Sequence, residues 1–340
     1  MPGLDERLKQ VRHRIDNYSQ TIAAIWALIS ILTWDNRAKR VRTERRFSVG
    51  RKMTQRRSGN DITPDVVVQF SDKLGIVAEA KRTLPKSDGH VREIIEQVRA
   101  YDEDLIGWWT TDEKIERHDV AVLVHQVHGV AFSNGLRSVE KQERSFRRAP
   151  CVVEFNVFEQ VEQRMYLRIR EGSLHAADLS RALIEGIPVP MEDVVASYGG
   201  KLFYDAEPDP EYMMARIWAD IVMQARVQAR DRDDKGHILV PLKITSVTDE
   251  LQKAHGSRGR EHREVEYPKQ TWVKRALDGL VQLRYARKVD DDNYVVLYRQ
   301  IRGDLIDTFV RGRARTEKTS RKRAGRKPSR DTRTMDMFGS

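Results

Sequence analysis

Thr63-Pro64-Asp65-Val66-Val67-Val68-Gln69-Phe70 and, after the polar stretch Ser71-Asp72-Lys73-Leu74-Gly75, Ile76-Val77-Ala78-Glu79-Ala80-Lys81 form the passage whose reading decides the fold. Two β-branched runs on either side of a polar, Gly-ended turn read as an antiparallel hairpin. With the turn centred near Lys73, pairing sets Asp65 opposite Lys81. Glu79 and Lys81 are two residues apart and so project from the same strand face. Two anionic side chains and one cationic side chain then meet at the open end of a single ribbon.

That trio suits the cutting of a phosphodiester. The carboxylates of Asp65 and Glu79 offer hard oxygen ligands to Mg²⁺ or Mn²⁺, and the Ala80 backbone carbonyl between Glu79 and Lys81 is a further donor. A metal so held lowers the pKa of water and offsets charge on the scissile phosphate. Lys81 is placed to orient the attacking water or to act as a fixed cation in the transition state. The bland alternative is a charge-protected strand edge. Against it stand the two β-runs that bring all three residues to one place.

Working outward, Leu4, Leu8 and Val11 have helical spacing, and Thr21 to Trp34 reads as a buried helix. Val91 to Leu105 has helical periodicity, with apolar residues at 91, 94, 95, 98, 101 and 105. On that helix Gln97 and Tyr101 share a face at i and i+4. Val120 to Val127, Cys151 to Phe158 and Met165 to Ile169 read as strands, which makes the N-terminal region α/β.

At this point the sequence resembles the PD-(D/E)XK nuclease superfamily. Pro64-Asp65 and Glu79-Ala80-Lys81 match its paired motifs, and Gln97-Val98-Arg99-Ala100-Tyr101 resembles the Q-x-x-x-Y motif of the RecB-like branches. The resemblance covers the organisation of roughly residues 40–170. It implies a restriction-endonuclease-like central mixed sheet flanked by helices, with Gln97 and Tyr101 supporting the catalytic residues and contacting nucleic acid. It also implies an acid on the helix before the first motif strand. Glu44 is the only acid in its neighbourhood, so it is the candidate for metal ligation or water positioning. An intrahelical ion pair is the equal alternative.

Charge supports a polyanionic partner. The 340 residues carry a net charge of +10, and 33% of them are charged. Residues 36–58 hold ten basic residues against Glu44 alone, and residues 311–330 hold ten against Glu317 alone. Arg45, Arg46, Arg51 and Lys52 are therefore expected to line a phosphate path with salt-dependent, sequence-independent affinity. Cys151 is the only cysteine, which excludes an intrachain disulfide framework and a cysteine-based zinc site. The longest apolar stretch, Ile22 to Trp34, is too short for a bilayer, and no signal peptide is read. A soluble cytoplasmic protein is expected. His125 and His128, three apart in a strand and turn, fall on opposite faces and read as structural. There is no H-E-x-x-H, G-x-S-x-G or P-loop, so any ATPase or sensing step would come from a partner subunit.

Composition shifts at Ala206-Glu207-Pro208-Asp209-Pro210, taken as a domain boundary. Beyond it the order is a helix (Tyr212 to Ala229), a strand (Ile238 to Ile244), helices from Val247 and Gln270, and a hairpin about Asp290 to Asn293. That order resembles a winged helix, which implies that the helix from Gln270, with Lys274 and Arg275, contacts DNA. Docking on protein is the alternative, because Asp290 to Asp292 make the wing tip acidic. The tail from Arg311 reads as disordered. Its end, Thr334-Met335-Asp336-Met337-Phe338, resembles the short peptide that docks on the DNA sliding clamp through Met335 to Phe338. The leading Gln is absent, and an ordinary terminus is the preferred reading.

The expected organisation is thus a PD-(D/E)XK nuclease domain over 1–205, a winged-helix-like domain over 206–305 and a basic tail over 306–340. The expected activity is Mg²⁺- or Mn²⁺-dependent hydrolysis of DNA, as an endonuclease of antiphage defence or restriction. A homodimer is expected if both strands of a duplex are cut. Alternatives are a structure-specific repair nuclease or RNase, and a non-catalytic DNA-binding regulator or scaffold.

Overall fold

The computed structural model describes residues 3–34, 45–70, 73–81, 88–109, 115–142, 146–158, 164–198, 201–255 and 263–324. Helix α1 (Leu4–Trp34) opens the chain. Leu8, Val11, Ile15, Tyr18, Ile22, Ile25, Ile29 and Leu32 step by three and four, giving one buried stripe along its whole length. The two helical stretches expected from the sequence are therefore one helix. From Ala24 to Ile29 every residue is buried, because this half is covered on more than one side.

The strands follow as β1 (Arg45–Val49), β2 (Met53–Gln55), β3 (Asp61–Ile62), β4 (Val66–Phe70) and β5 (Leu74–Lys81), before helix α2 (Asp88–Tyr101). Then come β6 (Leu105–Ile106), β7 (Arg117–His125), α3 (Gln126–Gln142), β8 (Cys151–Phe158) and β9 (Arg164–Glu171). Helix α4 (Ala177–Glu185), β10 (Ile187–Pro190) and α5 (Met191–Tyr198) complete this half.

A seven-stranded mixed sheet runs β1-β4-β5-β7-β8-β9-β10. Its middle pairs, β5–β7 and β7–β8, are parallel, and its outer pairs are antiparallel. Side-chain alternation divides the strand residues between two cores. Val66, Val68, Phe70, Ile76, Ala78 and Ala80 pack with α1. Val67, Val77, Val122 and Val124 pack with Ile95 and Val98 of α2 and Phe132 and Leu136 of α3. Helices therefore cover both faces, which is why the strands read as nearly continuous apolar runs. The fold is α/β with a mixed sheet flanked by helices.

The β4–β5 register differs from the sequence expectation. Val66 pairs with Ala78 and Gln69 with Gly75, which places the centre of symmetry one residue earlier than Lys73. Continuing that register sets Asp65 opposite Glu79 rather than Lys81. Gly75 belongs to the ladder, opposite Gln69, rather than to the end of the turn, and the Trp108 ring lies where its Cβ would be. Just before the strand, Lys73 adopts a left-handed φ of 65°. Gly75→Ala is expected to cost about 1–3 kcal/mol by overpacking. A thermal melt checks this; an unchanged Tm would show that Trp108 yields freely.

In the C-terminal half, α6 (Pro210–Arg216) continues through a π-helical segment, Ile217–Val222, into α7 (Met223–Ala225). Strand β11 (Ile238–Lys243), α8 (Ile244–His255), α9 (Gln270–Gln282), β12 (Ala286–Lys288) and β13 (Asn293–Tyr298) follow, then α10 (Leu305–Ala324). The three strands form an antiparallel sheet in the order β11-β13-β12. One apolar core joins α1, one face of the large sheet and these elements.

Helix α10 corrects the expectation of a tail disordered from Arg311. Phe309 is fully buried against Trp218 and Tyr285, with ring centroids 6.1 and 5.7 Å away. Arg12–Asp307, Arg7–Glu317 and Arg313–Glu211 ion pairs at 2.9, 2.6 and 2.7 Å tie the helix to α1 and α6. An apolar anchor with charge partners orders a segment whose composition alone reads as solvated. Met335 to Phe338 lie outside the described residues. Among the described residues no helix is long and apolar enough to cross a membrane.

Candidate active site

Asp65 immediately precedes β4, while Glu79 and Lys81 end β5, so the sheet brings all three to one end of the ribbon. Asp65 and Glu79 are each only 3% exposed. The Asp65 Oδ2 accepts the Ala80 N–H at 2.8 Å, which locks the carboxylate against the neighbouring strand. A strand residue presents its N–H and C=O on the same edge. The Ala80 carbonyl therefore lies on the Asp65 side, beyond the last β4–β5 pair, where the sequence reading wanted a ligand.

The Glu79 carboxylate is bound on both oxygens. Oε1 accepts from Gln97 Nε2 at 2.9 Å and contacts Lys81 Nζ at 2.6 Å. Oε2 accepts the Tyr101 hydroxyl at 2.8 Å, and Gln97 Nε2 also reaches the Tyr101 oxygen at 3.0 Å. The i,i+4 pair on α2 thus does one identifiable thing: it fixes the orientation of Glu79. Helix α2 is held in turn by Gln55 Nε2 donating to the Ala100 carbonyl and by the His118 ring nitrogen at the Tyr101 carbonyl, 2.9 and 2.7 Å.

Burial first, and the nearby Glu79 second, push the Asp65 pKa well above the usual carboxylate range. Burial and then Glu79 raise the Tyr101 phenol, so it stays a donor. For Lys81, burial pulls the pKa down, but Glu79 and Asp65 together outweigh it, and the amine stays charged. Tyr101→Phe removes a bond to a buried carboxylate, with an expected cost of about 1.5–3 kcal/mol. If Tyr101 orients a ligating group, activity falls about 10–100-fold. Comparing kcat and Tm for this variant separates loss of orientation from loss of fold.

Asp65, Glu79, Ala80, Lys81 and Gln97 line a cavity of about 400 Å³ at the end of the sheet. Helix α1 contributes Arg14, Asn17, Tyr18 and Thr21, and the segment entering the C-terminal half contributes Tyr204, Asp205, Ala206 and Glu207. Sequence reasoning missed both walls. The α1 face was readable as Arg14, Tyr18 and Thr21 at helical spacing, but nothing local said that it faces the hairpin. Glu207 was read only as part of a composition boundary, and Asp205 was not singled out.

The donor set fits a hard divalent cation. Two buried carboxylates and a backbone carbonyl share one polar cavity, with space for the waters that Mg²⁺ retains. Among the described residues no three carboxylate, imidazole or thiolate groups gather as a complete metal cluster, so protein would supply only part of the shell. Glu44, the expected further acid, lies outside the described residues.

The basic residues expected on a phosphate path divide. Arg46 is exposed on β1, and the backbone of Arg45 belongs to the same strand. Lys52 is half exposed and pairs with Asp61 at 2.7 Å. Arg51 is a correction: it is 2% exposed, its guanidinium lies 4.1 Å from the Trp109 ring centroid, and its Nε donates to the Gly107 carbonyl. Packing has turned that cation inward. Lys274 is half-buried on α9, while Arg275 is exposed and pairs with Glu207 on the cavity wall. His125 ends β7 with its ring edge-on to Phe155, and His128 lies on α3.

Compared with known proteins, the chain matches no family model, no curated protein and no solved structure.

Proposed function

We propose that this protein is a divalent-metal-dependent nuclease that hydrolyses phosphodiester bonds in DNA. The observation that carries the reading is the convergence of Asp65, Glu79 and Lys81 on one cavity, with Gln97 and Tyr101 bonded to Glu79. Binding alone does not require two buried carboxylates beside a half-buried lysine. Such a group is costly to assemble and is characteristic of sites that do chemistry.

In this reading Asp65, Glu79 and the Ala80 carbonyl would hold Mg²⁺ or Mn²⁺, which would supply Lewis acidity for activating water and offsetting charge on the scissile phosphate. Lys81, kept cationic by its two carboxylate neighbours, orients the attacking water or stabilises charge on the phosphoryl oxygens. Gln97 and Tyr101 keep Glu79 from rotating out of its ligating position. The central sheet is then a restriction-endonuclease-like scaffold. The order β11-α8-α9-β12-β13, with its three-stranded antiparallel sheet, supports a winged helix whose α9 approaches DNA. Restriction or antiphage defence is the setting proposed for such a pairing.

The test is incubation with plasmid, linear duplex, single-stranded DNA and RNA, with and without Mg²⁺. Cleavage of DNA that stops with chelator and in Asp65→Ala supports the proposal. Undiminished cleavage by that variant would refute it.

A further inference from the structure

Three cations stand at the rim of the cavity, and each is tied by a carboxylate from a single short segment. Arg14 of α1 contacts Asp209 at 2.7 Å, Lys269 at the start of α9 contacts Asp205 at 2.9 Å, and Arg275 of α9 pairs with Glu207. The acids alternate along the chain at 205, 207 and 209, and the first two line the catalytic cavity itself. The cations come from two elements distant in sequence. Their side chains are 56, 42 and 61% exposed, so solvent and ligands reach them.

We infer that this acidic segment is an internal stand-in for a nucleic-acid strand: the phosphates flanking the scissile one displace it and take over Arg14, Lys269 and Arg275. The inference rests on the nuclease reading of the neighbouring cavity. A strand whose phosphate reaches Asp65 and Glu79 must pass the rim, where the Asp205 and Glu207 carboxylates would repel it. Their partners are the cations that its own phosphates need. Exchange of one anion for another resolves both conflicts. It is easy for Arg275–Glu207, because exposed ion pairs are weak. Phosphate also matches the guanidinium fork as well as carboxylate does. Asp209 is less free to leave, since its side chain also caps α6 through the Glu211 N–H. Asp205 is held as well, by the hydroxyl of the buried Tyr267 at 2.7 Å, so the exchange is centred on Glu207 and Arg275.

The test is fluorescence anisotropy of a labelled DNA oligonucleotide in chelator, where binding is read without cleavage. It uses full-length wild type, Glu207→Gln, Arg275→Gln and the double variant. Glu207→Gln is expected to bind about two- to fivefold more tightly, the range an exposed pair accounts for. Arg275→Gln is expected to bind more weakly, with a salt slope shallower by about one phosphate contact. Adding Glu207→Gln to Arg275→Gln is expected to give a smaller gain than in wild type, because only repulsion is relieved and no competed cation is released. A gain of the same size in both backgrounds is a general charge effect and overturns the inference, as does no gain in wild type. Wild type that binds no oligonucleotide overturns this inference and the nucleic-acid reading together. Binding without the Glu207–Arg275 coupling overturns this inference alone. Both side chains are solvent-exposed in part, and thermal melts confirm that the variants fold.

Discussion

Asp65→Asn is expected to lower Mg²⁺-dependent cleavage on the order of 10³-fold while leaving the protein folded, the scale seen when one charge-stabilising group is removed from a preorganised site. Asn keeps the size of the side chain and an oxygen that can accept the Ala80 N–H, now held at 2.8 Å. It loses the negative charge that a divalent ion requires. Stability gives a second readout. Burial and Glu79 hold the Asp65 pKa well above its unfolded value, so the metal-free folded state binds a proton more tightly than the unfolded chain. The sign follows: this group costs no stability below the unfolded value of about 4 and destabilises the fold as pH rises through the folded pKa. At alkaline pH without metal, Asp65→Asn should therefore melt at a higher temperature than wild type, and the difference should shrink on acidification. Mg²⁺ should raise the Tm of wild type and not of the variant. A Tm rise with Mg²⁺ of the same size in both proteins would remove Asp65 from the metal site.

Gly50→Ala is expected to damage stability and activity together, with a loss of about 2–5 kcal/mol from a left-handed backbone and an overpacked ring. Gly50 has φ +72°, and a Cβ there would lie 2.5 Å from Tyr267 Cε2. Its N–H donates to the Asp65 carbonyl at 3.1 Å, and its own carbonyl accepts from Val265 at 2.9 Å. Tyr267 is fully buried and donates its hydroxyl to Asp205 at 2.7 Å. One small residue therefore joins the backbone of Asp65 to the tyrosine that holds the opposite wall of the cavity. Adding a methyl group must move one or the other. The check is a denaturant melt together with kcat at a temperature where the variant is folded. Full activity in a folded variant would show that the cavity walls are not coupled through Gly50.

The legible part of the fold was the part written in periodicity. The β-runs of β4, β5, β7 and β8 read as strands, and the helices carrying Gln97 and Trp272 had clear apolar stripes; that the strands are buried on both faces came from the fold. Helix α3 was not anticipated. It starts at Gln126, directly after β7, with Gly129 and Gly135 in its sequence, residues that weaken a local helical signal. Gly129 is there for packing: a Cβ would meet the buried Glu154, which is tied to Arg168 and Arg170 at 3.0 and 2.6 Å. Helix α10 was read as a disordered tail for the related reason that its composition is nearly all polar. The two residues that anchor it, Phe309 and Val310, matter only through the core they enter.

By itself the sequence determined which residues form the chemical trio. The spacing of Glu79 and Lys81 on one strand face and the short link back to Asp65 bring them to one ribbon end in the expected register and in the observed one alike. It also determined that Gln97 and Tyr101 share a helix face. Only the tertiary structure decided that Asp65 faces Glu79 rather than Lys81, since the strand pairing takes Gly75 into the ladder instead of leaving it in the turn. Only it decided that Arg51 turns inward while Arg14, Lys269 and Arg275 gather at the cavity rim. Local periodicity fixes what a residue's neighbours are along one element. Which elements meet is set by long-range packing, and the rim is made where α1, the sheet end and α9 come together.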